Sequence, residues 1–249
     1  MGFAWKAATV TAVTITLAGL LAYTRLDTNI TAIDVDRVLG DDRPARDAPG
    51  ALNILLLGSN SGGARAETAM FVHLAQERTS AIVVTIPRDT VVPRPACPLQ
   101  DGGTAPPAAA VVFGTAYSVG GPVCVVKTVE RLSDVRVDHL LDLDFSCFTR
   151  LAGALGRTIH GDDGQLDLPK AVIGSGLLVN PVKLVEIADT VTRALTTDSG
   201  LGSLPDLLGL ARSVADLEPS HIAFRTLPAD PRREALWTAL RQDLPPPPA

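Results

Sequence analysis

The chain of 249 residues has only three cysteines, Cys97, Cys124 and Cys147. No C-x-x-C spacing and no Cys/His cluster accompanies them, which argues against a structural zinc site. An oxidising compartment would allow one disulfide and one free thiol. The preferred reading is two small buried thiols and one exposed one, ahead of a Cys97–Cys124 bridge. Positive charge is also scarce. Lys and Arg number 22 against 27 Asp and Glu, a formal net charge of −5. Residues 1–26 hold Lys6, Arg25 and no acid, so the rest of the chain is more acidic still. Such a body lacks the basic footprint that nonspecific nucleic-acid binding requires. The four histidines, His73, His139, His160 and His221, are scattered, and none sits in a recognisable triad pattern, so they are given no catalytic role. No internal repeat is visible. At 46% hydrophobic and 20% charged residues, the chain is not disordered. Its length suits one domain with a filled core, or two small ones.

One long apolar run is present. Ala7 to Thr24 carries no charge and is flanked by Lys6 and Arg25. Roughly 17–25 apolar residues span a bilayer, so the run is just long enough. Its threonines can bond back to the helix backbone. No A-x-A cleavage pattern follows Leu21, so residues 1–26 read as an uncleaved anchor with the body outside the membrane. Residues 27–50 are polar, with Asp-Asp-Arg-Pro and Pro-Gly, and read as a juxtamembrane linker with room for one short helix. Residues 51–244 form the folded domain, and 245–249 are an extended Pro-rich tail.

Within that domain, ALNILLLG (51–58) is a continuous apolar run ended by Gly58, the pattern of a strand buried on both faces. Further strands are predicted over 68–76, 80–86, 137–145 and 221–227. Residues 93–109 are rich in proline and glycine and read as a long surface loop. Gly120-Gly121-Pro122 opens a helix with proline at its first position. Val123, Val126, Val129 and Leu132 form its buried stripe. Ser146 caps a short helix through Leu155. Asn180-Pro181 starts a helix whose buried stripe is Val185, Ala188, Val191 and Leu195. Ser203 opens another helix, and the last one runs over 232–244. The alternation indicates an α/β fold, a layered mixed sheet flanked by helices.

Two loops at strand ends carry candidate chemistry. The first is Gly58 to Thr68, with Asn60, Arg65 and Glu67; the second is Ile86-Pro87-Arg88-Asp89-Thr90. Ligands of open α/β sheets bind outside the strand ends, where loops converge. Arginine grips phosphate oxygens bidentately and keeps its charge. A nearby carboxylate can hold Mg²⁺ together with substrate phosphates. These are the parts of a pyrophosphate clamp that stabilises a leaving group. Taken by chemistry alone, the same residues fit solvated turn charges or local ion pairs equally well.

The segments NILLLGSN, ARAETAMFVHL, AIVVTIPRDT, AYSVGGP-x₄-KTVE and VDHLLDLDF-x₂-F, in this order, closely resemble the LytR–CpsA–Psr family. The resemblance runs from Asn53 to Leu155 and resumes in NPVKLVEIADTVTRALTTD and near FRTLP. It implies a membrane-anchored phosphotransferase outside the cytoplasmic membrane. Such an enzyme moves a glycopolymer from a polyprenyl-pyrophosphate carrier to peptidoglycan with the help of Mg²⁺. By position, Arg65 and Arg88 would bind the pyrophosphate, Glu67 would handle metal or proton, and Asp89 would orient Arg88 or cap its turn. An apolar groove for the polyprenyl chain would draw on Phe71, Val112 and Phe113, though each reads more readily as ordinary core.

The chain also departs from the family pattern. Asn60 stands where the family has a metal-binding carboxylate, which weakens Mg²⁺. Glu67 is one methylene longer than the family's aspartate. Between Arg157 and Val179 the family's R-x-R pair and R-Q helix are missing; Arg157, Asp162, Asp163 and Lys170 are the charges near them. Two alternatives to the enzyme follow: a catalytically impaired relative that binds polyprenyl phosphate or cell-wall partners, and a membrane-bound transcriptional attenuator. The acidic body lends the attenuator no support.

Overall fold

The computed structural model describes residues 2–46, 48–59, 66–99, 101–144, 181–228 and 232–245, with the backbone alone for 2–12, 15 and 181–184. The chain divides into two compact units, Met1–Thr31 with Cys147–Ala194, and Ala32–Ser146 with Leu195–Ala249.

The first unit contains helix α1 (Gly2–Asn29). Its apolar side chains Val13, Leu17, Leu20 and Leu21 are exposed. Among the described residues, no helix is long and apolar enough to cross a membrane. The described side chains of α1 begin at Val13, so they cover only part of the apolar run. A second helix from this unit, Pro181–Arg193, begins at the predicted Asn180-Pro181 start. The two helices are tied by Arg25 and Asn29, which both donate to Asp189. The predicted stripe of the second helix is only partly buried: Val185 is exposed, whereas Thr192 is buried and bonds back to Ala188 O.

The second unit is built on a seven-stranded mixed sheet. Its strands are β1 (Thr31–Ile33), β2 (Leu52–Ser59), β3 (Ala66–Leu74), β4 (Ala81–Ile86), β9 (His139–Asp144), β10 (Leu195–Asp198) and β11 (Ile222–Thr226). The order across the sheet is β1-β10-β9-β2-β3-β4-β11. Antiparallel pairing joins β2 to β3, β3 to β4 and β9 to β10, while β2–β9 and β4–β11 are parallel. Four of the runs read as strands from sequence, β2, β3, β4 and β9, are central, whereas the fifth, β11, is an edge strand with Phe224 exposed.

Side-chain alternation assigns the faces. Leu55, Leu57, Phe71 and Val84 point to one face, where they meet helix α3 (Thr115–Ser133) and the C-terminal helix Arg232–Arg241. Trp237 packs edge-on against Phe71, with ring centroids 5.5 Å apart. Ile54, Val72 and Leu74 point to the other face, under Leu210 of the helix Leu204–Ser213. Ser203 caps that helix, as its position predicts.

Four expectations are corrected. Residues 27–50 hold the one short helix allowed for, α2 (Val35–Leu39), but β1 precedes it and its Val35 and Leu39 are core residues, so this stretch is more than a linker. Arg43 is buried there and pairs with the buried Glu130 at 2.5 Å. The predicted loop 93–109 instead holds short strands β5 (Val91–Arg94), β6 (Cys97–Pro98), β7 (Thr104–Ala105) and β8 (Ala108–Val112), paired as two small ribbons. Prolines are tolerated because these pairs are all edge. Cys97 and Cys124 form a disulfide, with Cα atoms 5.2 Å apart. The two thiols are buried, but buried together. Finally, α3 starts five residues before the Gly pair. Its backbone breaks at Gly120 and Gly121, the latter at φ 63°, and Pro122 restarts it. Any Cβ at Gly120 would meet Pro98 O at 2.3 Å, so glycine lets the β6 segment lie directly on the helix. Ser146 and its predicted helix lie outside the described residues.

Candidate functional site

Four chain segments meet at one edge of the sheet. Strands β2 and β9 end there at Ser59 and Asp144, which are register partners. β3 begins there at Ala66, also opposite Ser59. β4 ends there at Ile86, opposite Ala69. The antiparallel register, continued two residues past Ala69–Ile86, sets Glu67 against Arg88. The side chains form an ion pair, Arg88 Nη1 to Glu67 Oε2. The Arg88 side chain is 62% exposed and that of Glu67 30%.

The loop that carries Arg88 is held from the other side by the start of α3. Gly114 N–H donates to Arg88 O at 2.8 Å, and Phe113 N–H donates to Thr90 O at 2.8 Å. Gly114 leaves room for this: a Cβ there would press on Ala66 O and Arg88 O at 3.1 and 3.2 Å. Asp89 is exposed in a turn closed by Thr90 N–H on Pro87 O. Among the described residues the carboxylate on Arg88 is that of Glu67, not the Asp89 expected to orient it. Arg65 and Asn60 lie outside the described residues, as do Arg157, Asp162, Asp163 and Lys170.

A second group, absent from the sequence reading, stands on the neighbouring strand ends. Tyr117, one turn into α3, donates its hydroxyl to Asp142 Oδ2 at 2.6 Å. Asp142 is 3% exposed, and its Oδ1 is buried with no hydrogen-bond partner. Burial raises the Asp142 carboxyl above its ordinary value; the Tyr117 and Ser59 hydroxyls oppose this, and the negative Asp144 adds to it. Burial and Asp142 push the Tyr117 phenol up as well. A signal for Asp142 existed: on β9 it shares the buried face with Leu140, where an acid needs a reason.

The strand ends offer an exposed guanidinium for phosphate oxygens after β4 and, three strands across the sheet on β9, a buried carboxyl whose proton affinity is raised. A hard cation such as Mg²⁺ takes oxygen donors. Of the donors expected for it, Glu67 is engaged by Arg88, and among the described residues no three His, Cys, Asp or Glu stand together as a metal group. The described residues therefore do not by themselves fit the ion. Phe71 and Phe113 are core side chains, and Val112 is exposed, so these three do not combine into a groove.

Comparison with known proteins places this geometry. LcpA of Corynebacterium glutamicum, a cell wall biosynthesis protein, is 32% identical over 76 residues, 30% of this chain and 14% of that protein. The chain thus matches about a seventh of the length of that curated relative. A LytR-Csp2A-Psr enzyme from Actinomyces oris has a similar structure, with a TM-score of 0.55, 20% identity and coverage of 84% of this chain and 95% of the other. TagT bound to LI-WTA is similar at a TM-score of 0.56, with 20% identity and coverage of 85% and 99%. At that identity the two structures show a shared fold, a mixed sheet flanked by helices. The LytR_cpsA_psr family model matches residues 22–161, a stretch that contains β2, β3, β4, α3 and β9 with every described site residue above, and the chain belongs to that family.

Proposed function

We propose that the protein is a membrane-anchored phosphotransferase of cell-wall assembly, acting on a polyprenyl-pyrophosphate-linked glycopolymer with peptidoglycan as acceptor. The observation that carries this reading is the Glu67–Arg88 pair at the open strand ends. An exposed ion pair is worth only about 0.2–1 kcal/mol, so a pyrophosphate can displace Glu67 at little cost. Arg88 then meets phosphate oxygens bidentately. An acceptor hydroxyl oxygen bonds to the phosphorus next to the polymer, and the bridging P–O bond breaks. The electron pair leaves with polyprenyl phosphate, whose new charge faces Arg88. The Glu67 carboxylate, parted from Arg88, would take the hydroxyl proton. Mg²⁺ belongs to the proposal through family resemblance, with Glu67 and Asn60 as its ligands; no step here is routed through it.

The anchor is part of the same proposal. Helix α1 is continuous over Gly2–Asn29, residues 7–24 are charge-free, and its described apolar side chains are exposed. Such a helix can bury those side chains in lipid, with the body on the extracytoplasmic side. A second reading is an impaired relative that binds polyprenyl phosphates without turnover. The neutral Asn60 in place of a carboxylate favours it.

The deciding experiment uses the full chain in detergent micelles, a polyprenyl pyrophosphate and Mg²⁺. Release of polyprenyl phosphate that falls about a hundredfold in Arg88→Ala supports the enzyme. Lipid binding without turnover in the wild type supports the binder. Turnover unaffected by Arg88→Ala refutes the role given to this site.

A further inference from the structure

The opposite edge of the sheet holds a cavity of about 380 Å³, a size typical of small-molecule sites. It lies at the starts of β2 and β9, against Leu52, Asn53, Asp138 and His139. β2 runs eight residues from there to Ser59, so roughly 23 Å separates the cavity from Arg88's edge. Four arginines line it: Arg46, Arg78, Arg136 and Arg241.

Three of them are pinned by acids without being used up. Arg46 faces Asp138 at 3.0 Å but stays 63% exposed. Arg136 donates through Nη2 to Asp36 at 2.7 Å, while its Nε is buried with no hydrogen-bond partner. Arg241 donates to Ser133 O and to Glu234, each at 2.5 Å. Arg78 has no carboxylate partner among the described residues. Its Nη1 makes two long bonds, 3.4 Å each, to Leu74 O and Ala75 O. Arg78 also has a φ of 58°, a conformation that favours glycine. The chain therefore keeps a long cation in a strained position of the β3–β4 turn, where glycine would cost less. His139, the remaining ionisable group of the lining, is bound to Asp198 at 3.2 Å. Among the described residues, the acids near these four cations are Asp138 in the wall and Asp36 and Glu234 behind it, and spare guanidinium donors remain on Arg46 and Arg78.

We propose that this cavity is a second anion site, taking a phosphate mono- or diester. Arg78 and the exposed Arg46 would bind the phosphate oxygens, and the rest of the cavity would house the esterified group. Arginine forks match phosphate in both geometry and charge. The site is separate from the transfer site and does not depend on the activity proposed for it.

The test follows the arginine Nε–Hε resonances of the full chain in dodecyl maltoside micelles during titration with inorganic phosphate at constant ionic strength. We expect the Arg78 and Arg46 signals to shift and saturate. Arg78→Gln should weaken binding at least tenfold, and Arg88→Gln should leave it unchanged. Arg46→Gln, a substitution at an exposed side chain, serves if Arg78→Gln does not fold, and should weaken binding severalfold. Shifts that chloride reproduces overturn the proposal, as does unaltered binding in the folded variant. Phosphatidylcholine nanodiscs with and without phosphatidylglycerol separate the two sources of phosphate. Saturation by free phosphate assigns a soluble ester, saturation only with phosphatidylglycerol assigns a lipid headgroup, and saturation with neither overturns the site.

Discussion

Glu67 and Arg88 meet across the β3–β4 ladder, two residues beyond its last paired rung, Ala69–Ile86. The contact therefore follows from register, and it sits where the strands open to solvent. Pairs this exposed contribute little to folding. Glu67→Gln is expected to change unfolding free energy by less than about 1 kcal/mol in a urea titration. Any larger loss of turnover in that variant then belongs to chemistry. A drop of about 3 kcal/mol or more would show instead that the pair is part of the core.

The Arg43–Glu130 pair is the contrasting case. Both side chains are almost fully buried, at 3% and 2% exposure. Glu130 also accepts Val137 N–H at 2.9 Å, and Arg43 donates to Val137 O at 2.6 Å. Removing one charge strands the other, so Glu130→Gln should cost about 3–5 kcal/mol in chemical denaturation. A cost under 1 kcal/mol would mean that water reaches Arg43.

The Cys97–Cys124 bond closes a loop with a sequence separation of 27. Loop-closure entropy for that length corresponds to about 3–4 kcal/mol. The double variant Cys97→Ala, Cys124→Ala should lose most of that amount, and dithiothreitol should destabilise the wild type alone. Equal thermal unfolding with and without reductant would show that the bond is not formed in solution.

What the sequence disclosed, and what it hid, has a physical pattern. Strands β2 and β4 announce themselves because both-face burial writes continuous apolar runs, and β9 through its alternation of Leu with Asp or His. Arg88 was legible because it follows such a run, and Glu67 because it opens the strand paired with it. The β5–β8 ribbons were hidden by proline and glycine, which also occur in edge strands. The Cys97–Cys124 pairing depends on the β6 segment lying against Gly120, a long-range contact with no local sequence signature. Arg43 looked like a linker charge because its partner, Glu130, is far along the chain. Tyr117 and Asp142 were missed for a similar reason. Each looks ordinary alone, and only the junction of α3 with β9 makes them a pair.

His73 gives a pH dependence with a defined sign. It is 2% exposed and contacts Asn53 Oδ1 at 2.7 Å and Asp243 Oδ1 at 3.0 Å. Burial lowers its proton affinity, and this outweighs the pull of Asp243. The unfolded chain then binds the proton first, near pH 6.5, so stability falls as the pH drops through that value. His73→Gln should flatten the urea midpoint between pH 7 and pH 5. A midpoint that rises on acidification would reverse the assignment.

Asp142 makes the opposite prediction and tests the cost of the site. Its folded carboxyl binds a proton more tightly than in the unfolded chain, so stability is lost as pH rises through the carboxylate range and stays lost at neutrality. Asp142→Asn removes the buried charge and keeps an oxygen for the Tyr117 hydroxyl. The variant should be more stable than the wild type at pH 7 and should converge toward it near pH 4, as read by urea midpoints at both values. A residue retained against its own folding cost marks a working position, so the same substitution should reduce turnover on polyprenyl pyrophosphate. If Asp142→Asn is destabilised at pH 7 with turnover intact, Asp142 is a structural hydrogen-bond acceptor and Arg88 stands without it.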